Sequence, residues 1–140
     1  MNKLCIGLIL SLWGLTARAG VEISDAWART TAPGQEVGAV YMTLVSSEDA
    51  TLVAASTPAA DSVEIHRMWM DNGVMKMRML DTLKLPAGKQ VRLEPGGFHL
   101  MLFDLRKTLE AGEKIGLNLA IKDKRGKQST QYIELPVKAD

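Results

Sequence analysis

Short apolar runs extend from Val21 to Val137, broken roughly every 8 to 12 residues by turn-forming residues, and this rhythm constrains the fold more than any other feature. The breaks are Ala32-Pro-Gly34, Asp71-Asn-Gly73, Pro86-Ala-Gly-Lys89, Pro95-Gly-Gly97 and Lys124-Arg-Gly126, with Pro58 in a further loop from Thr57 to Asp61. The runs between them predict strands at Val21–Trp27, Val37–Val45, Thr51–Ser56, Ser62–Met70, Val74–Leu80, Gln90–Leu93, His99–Phe103, Ile115–Lys122 and Gln128–Val137. No window of helical length sustains a 3.6-residue apolar period, although Leu105–Ala111 could form one helical turn. The expectation is one all-β domain, a sandwich or barrel, with no linker, internal repeat or low-complexity segment.

Asn72-Gly73 is the sharpest local signal, because this pair suits the two positive φ angles of a type I′ hairpin. A two-residue loop would place Met70 opposite Met75, Met68 opposite Met77 and His66 opposite Met79. Side chains alternate faces along a strand, so all six would project from one face. A three-residue loop would put His66 and Met77 on opposite faces.

That face carries the chemistry. The chain has only two histidines, His66 and His99, and each is followed two residues later by a methionine, Met68 and Met101. Six of the eight methionines lie between His66 and Met101. Thioether and imidazole together suit soft copper(I) and poorly suit magnesium, calcium or manganese. Methionine is also common core filler, and that use stays open for this run. Against it, the face bearing His66 also bears Ser62 and Glu64, and both histidines share one His-x-Met pattern. Val63, Ile65, Trp69, Val74 and Leu80 on the other face could supply core contacts, with Arg67, Lys76 and Arg78 interspersed. Glu64, two residues before His66, could orient its ring as a hydrogen-bond acceptor.

Residues 1–19 read as a secretory signal peptide, and residues 20–140 as the exported domain. Lys3 supplies the basic end, Leu4 to Leu15 the apolar stretch, and Ala17-Arg18-Ala19 a cleavage site. The apolar stretch falls short of the ~20 residues needed to cross a bilayer, and no membrane insertion of the mature domain is expected. The single cysteine, Cys5, precedes the cleavage site, so the exported domain would rely on its core rather than on disulfides. The 17 basic and 16 acidic residues nearly cancel, which leaves no electrostatic footprint for nucleic acid. The cluster Lys122-Asp-Lys-Arg-Gly-Lys127 fits a solvated hairpin turn.

Taken in order, His66, Met77, His99 and Met101 spell H-x10-M-x21-H-x-M, with Met68 after the first histidine. This resembles the signature of the PCuAC-type periplasmic copper chaperones. Ala26-Trp27-Ala-Arg29, Pro33-Gly34, Asp71-Asn-Gly-Val-Met-Lys-Met77 and Leu93-Glu-Pro-Gly-Gly-Phe-His-Leu-Met101 extend the resemblance over essentially all of the chain after residue 19. It implies a cupredoxin-like β-barrel in the periplasm, not an enzyme, that carries one copper(I) and helps supply the copper centres of terminal oxidases. The resemblance makes His66, Met77, His99 and Met101 the ligands and Met68 an auxiliary donor, with Met70, Met75 and Met79 as surroundings. The implied partner is a copper acceptor, such as a terminal oxidase subunit or another copper chaperone. Some relatives carry a His- and Met-rich tail, whereas this chain ends Leu135-Pro-Val-Lys-Ala-Asp140.

Rival functions fit less well. A blue-copper electron carrier needs a thiolate, and no cysteine follows residue 19. A copper enzyme needs groups for substrate chemistry, which the sequence does not identify. A metal-free β-sandwich that binds proteins through an adaptable methionine surface is the alternative from another class.

Overall fold

The computed structural model describes residues 20–140, and the signal-like segment 1–19 lies outside them. Ten strands follow in chain order: β1 (Val21–Arg29), β2 (Val37–Ser46), β3 (Ala50–Ser56), β4 (Ala60–Asp71), β5 (Val74–Leu80), β6 (Leu83–Leu85), β7 (Gln90–Leu93), β8 (Phe98–Leu105), β9 (Lys114–Asp123) and β10 (Gln128–Lys138). Their hydrogen-bonded order is β5-β4-β8-β7-β2-β1-β10-β9-β3-β6, and β8 also pairs with β2. The β1–β10 seam is parallel and short, Ala28 opposite Val137 and Arg29 opposite Lys138. It joins a half containing the histidines to a half made of β10, β9, β3 and β6.

Alternation builds the core between these halves. In β9, Ile115, Leu117, Leu119 and Ile121 are buried while the residues between them are more exposed. They belong to one apolar cluster with Val40, Met42 and Leu44 of β2, Ile65 of β4, and Leu100 and Leu102 of β8. Burying each such side chain contributes roughly 1.5–3 kcal/mol. The architecture is the expected all-β one, and the nine strands read from the sequence appear within two residues of their predicted ends.

Three features depart from the sequence reading or escape it. The strand β6 is a three-residue element whose Leu83 and Leu85 point into the core and whose Lys84 points out. Leu105–Ala111 forms no helical turn. Its Leu109 is fully buried, and the backbone of Leu109 is pinned by Thr31, whose Oγ1 accepts from the Leu109 N–H and whose N–H donates to the Leu109 carbonyl. Finally, β1 carries a bulge between Ser24 and Trp27, with Asp25 at φ 53°. A bulge inserts one residue and so changes which face the following residues occupy. Val21 and Ala28 are both buried as a result, and Trp27 turns to the outer face beside Tyr41.

Candidate metal centre

The hairpin forms as its turn chemistry dictates. Asn72 and Gly73 have φ of 49° and 78°, and β4 pairs with β5 in the two-residue register: His66 with Met79, Met68 with Met77 and Met70 with Met75. On its other side β4 pairs with β8, which places His66 directly opposite His99 and Glu64 opposite Met101. The two His-x-Met segments therefore run antiparallel on adjacent strands and present the same face. Met101 also pairs with Ala39 of β2, which continues that face inward.

The central rung of this face is Met79, His66 and His99. Met77 lies one rung to one side, beside Met68, and Met101 one rung to the other. Successive same-face residues are about 6.5–7 Å apart along a strand, and diagonal cross-strand neighbours remain within reach of long side chains. The structure thus brings the four residues read from the sequence onto one surface around the histidine pair. Met77 approaches diagonally, and Met79 is the methionine directly opposite His66.

Both histidines are buried, His66 to 8% exposure and His99 to 4%, although they point away from the main core. Their neighbours cover them. The ring centres of His66 and His99 lie 5.6 Å apart, His66 lies 6.0 Å from Phe103, and His99 lies 6.4 Å from Tyr41. Tyr41 packs in turn on Trp27 at 4.8 Å, and the Arg29 guanidinium sits 5.2 Å above the Tyr41 ring. Sequence reasoning missed this aromatic wall, because the β1 bulge that places Trp27 leaves no periodic trace.

Hydrogen bonds fix each ring differently. His66 Nε2 lies 2.8 Å from Glu64 Oε2, and because a carboxylate accepts, this nitrogen carries the proton. His66 Nδ1 is buried with no hydrogen-bond partner among the described residues. His99 Nδ1 donates to the Gly97 carbonyl at 3.2 Å, which leaves Nε2 as its lone-pair nitrogen. The same carbonyl accepts from the Met68 N–H at 2.9 Å. Burial holds His99 below the ordinary imidazole range; the Gly97 bond opposes that shift, and charge on His66 and Arg29 adds to it. A neutral His99 is the form that can ligate a metal.

An orphaned, buried lone-pair nitrogen is a costly feature unless something occupies it. Two imidazoles that each hold a nitrogen about 2 Å from one ion have ring centres roughly 5–6 Å apart, which the observed 5.6 Å satisfies. Among the described residues no three of His, Cys, Asp and Glu gather to hold a metal ion. Any ion at this pair must therefore complete its shell with other donors, and the surrounding side chains offer thioether sulfur.

The other predicted features find clear places. Ile65 joins the core and Val63 packs on it, but Val74 is exposed and Trp69 is only half-buried. The Arg67 guanidinium lies 5.8 Å from the Trp69 ring and 5.7 Å from the Phe98 ring, so this part of the hairpin carries a cation–π stack instead of core. Lys124–Lys127 forms the turn between β9 and β10, closed by Asp123 Oδ1, which accepts from the N–H groups of Arg125 and Lys127.

Comparison with known proteins finds relatives in sequence and in fold. The LpqE-like family, named for a lipoprotein, matches residues 21–137. A protein of Leifsonia xyli subsp. xyli (strain CTCB07) named as lipoprotein Lxx21020 is 34% identical over 120 residues, covering 85% of this chain and 70% of its own length. The copper-bound PCuAC domain from PmoF2 shares the fold, with a TM-score of 0.68 at 23% identity over 88% of this chain and 97% of that one. The solution structure of CuI-DR1885 from Deinococcus radiodurans gives a TM-score of 0.59 at 30% identity, over 89% of this chain and 83% of that one.

Proposed function

The chain belongs to the LpqE-like family and has the fold of PCuAC domains, and from that premise we propose that it is a copper(I) carrier. One ion is held by His66, Met77, His99 and Met101, and the protein acts by receiving and releasing that ion, not by catalysis. The observation that carries the reading is the histidine pair: two buried imidazoles, directly opposed, 5.6 Å apart, each with one nitrogen committed to a hydrogen bond. The copper-bound state of the PmoF2 domain and the copper(I) state of DR1885 support copper as the cargo.

The residues fit copper(I) chemically. Two neutral imidazoles and two thioethers are soft or borderline donors without charge, a set that favours copper(I) over copper(II). His66 offers Nδ1 and His99 offers Nε2, as their hydrogen bonds leave them. Glu64 orients His66 through Nε2 and the Gly97 carbonyl orients His99 through Nδ1, the outer-shell arrangement common to metal-ligating histidines. Met68, on the Met77 rung, is the auxiliary donor.

Export through the segment 1–19 would place the domain in the periplasm, a reading that agrees with a family named for a lipoprotein. The acceptor would be a terminal oxidase subunit or another copper chaperone, reached by exchange of ligands at the half-exposed methionine side of the site. The metal-free interaction module leaves the unpartnered buried nitrogen of His66 without a purpose.

Anaerobic copper(I) titration against a competing chelator, with X-ray absorption on the loaded protein, tests the proposal. The expected result is one tightly bound copper(I) with nitrogen and sulfur neighbours. A loaded protein lacking sulfur ligation, or no binding above the competitor, overturns it.

A further inference from the structure

The methionines of the hairpin face lie outside the buried core. Met70 at the hairpin tip is 60% exposed, and Met75, Met77 and Met79 are each about half exposed. A methionine used as core filler would be buried and would contribute roughly 1.5–3 kcal/mol; these do not. They are also ordered among themselves. Met70 is the direct cross-strand partner of Met75, and Met68 of Met77. Directly opposed side chains have Cβ atoms about 4.5–5.5 Å apart, so the flexible thioether arms of one rung can close on a single ion. The charged residues of the strand, Lys76 and Arg78, alternate onto the opposite face, leaving this face to sulfur. Positive φ at both Asn72 and Gly73 locks the turn, which keeps the rungs from slipping out of register.

We propose that the hairpin tip is a second copper(I) site, built only of thioethers, with Met70 and Met75 as its ligands and the Met68/Met77 rung as the path to the histidine pair. It rests on the preceding section for the copper(I) cargo and for the histidine site to which the path leads. Two exposed neutral sulfurs select a soft monovalent ion and exclude hard divalent ones. With fewer donors and no imidazole, the tip site binds more weakly than the histidine site, as an entry point must. Met77 links the two: it closes the histidine site and stands one rung below the tip pair.

The test is a titration of the protein labelled at methionine methyl carbons, using silver(I) as a redox-inert stand-in for copper(I), followed by methyl and imidazole NMR. The first equivalent is expected to move Met101, Met77 and the imidazole signals, and the second to move Met70 and Met75. In the Met70→Leu/Met75→Leu variant, which conserves volume, the second event should weaken at least about tenfold while the first stays within about twofold. Methyl signals of Met70 and Met75 that stay fixed past the second equivalent, or a second event unchanged in the variant, overturn the tip site and leave the histidine site standing. Hairpin methyls that move with the first equivalent while both imidazoles stay fixed would support the tip site and overturn the histidine-centred reading.

Discussion

His66 and Met79 are direct cross-strand partners, yet one is 8% exposed and the other 50%. The difference marks the boundary between two regions of one sheet face. Inward of His66 lie β8 and β2, where Leu100 and Val40 pack the back of the face and Tyr41 and Phe103 cover the front. Outward lies β5, exposed along nearly its whole length, paired only to β4 among the described residues and packed on the core only through Leu80 at its end. The inner region fixes its two imidazoles by burial and by the hydrogen bonds to Glu64 and Gly97. In the outer region the turn fixes the register, while the methionine side chains stand half exposed or more. Preorganisation and access are thus divided between adjacent strands.

The comparison breaks most readily at the floor beneath His99. Leu100→Ala should destabilise the fold by about 2–5 kcal/mol, the usual effect of opening a cavity at a fully buried leucine, measured by denaturant unfolding of the metal-free protein. His99→Ala should lower copper(I) affinity by about a hundredfold or more, near 2.7 kcal/mol, in competitive titration; an unchanged affinity would remove the inner region from the site. In the histidine pH range, acid should act on the inner region, which holds both imidazoles. Because burial depresses His99, the unfolded chain takes up this proton first as pH falls below ~6.5. Stability is then lost between that value and the lower folded one, and unfolding curves across that window report the loss. Copper affinity should fall in the same direction, since protons compete with the ion for His99. The smallest effect belongs outside: Met75→Leu should change stability by no more than about 0.5 kcal/mol, and a larger loss would mean that β5 is packed after all.

How far the sequence disclosed this division depended on the range of the interaction. The Asn72-Gly73 register was legible because two adjacent residues determine it, and every β4–β5 pair follows from that turn. The pairing of His66 with His99 was not, since it joins strands separated by β5, β6 and β7. Matching His-x-Met spacing hinted at a shared surface without saying which rungs would align. Trp27 and Tyr41 were invisible as neighbours of His99, because a bulge at Asp25 carries no periodic signal. Leu105–Ala111 misled, because local propensity could not anticipate that the core would take Leu109 and that Thr31 would hold its backbone.

The position of β5 at the end of the strand order has a consequence for how such proteins coexist in a crowded compartment. An uncovered edge presents unpaired N–H and C=O groups to any passing strand and invites sheet-to-sheet polymerisation. Here the alternation that gives one face to sulfur gives the other to Lys76 and Arg78. Two such edges brought together would set Arg78 against Arg78, with Lys76 held by Asp71, so the uncovered edge resists zippering onto its own kind.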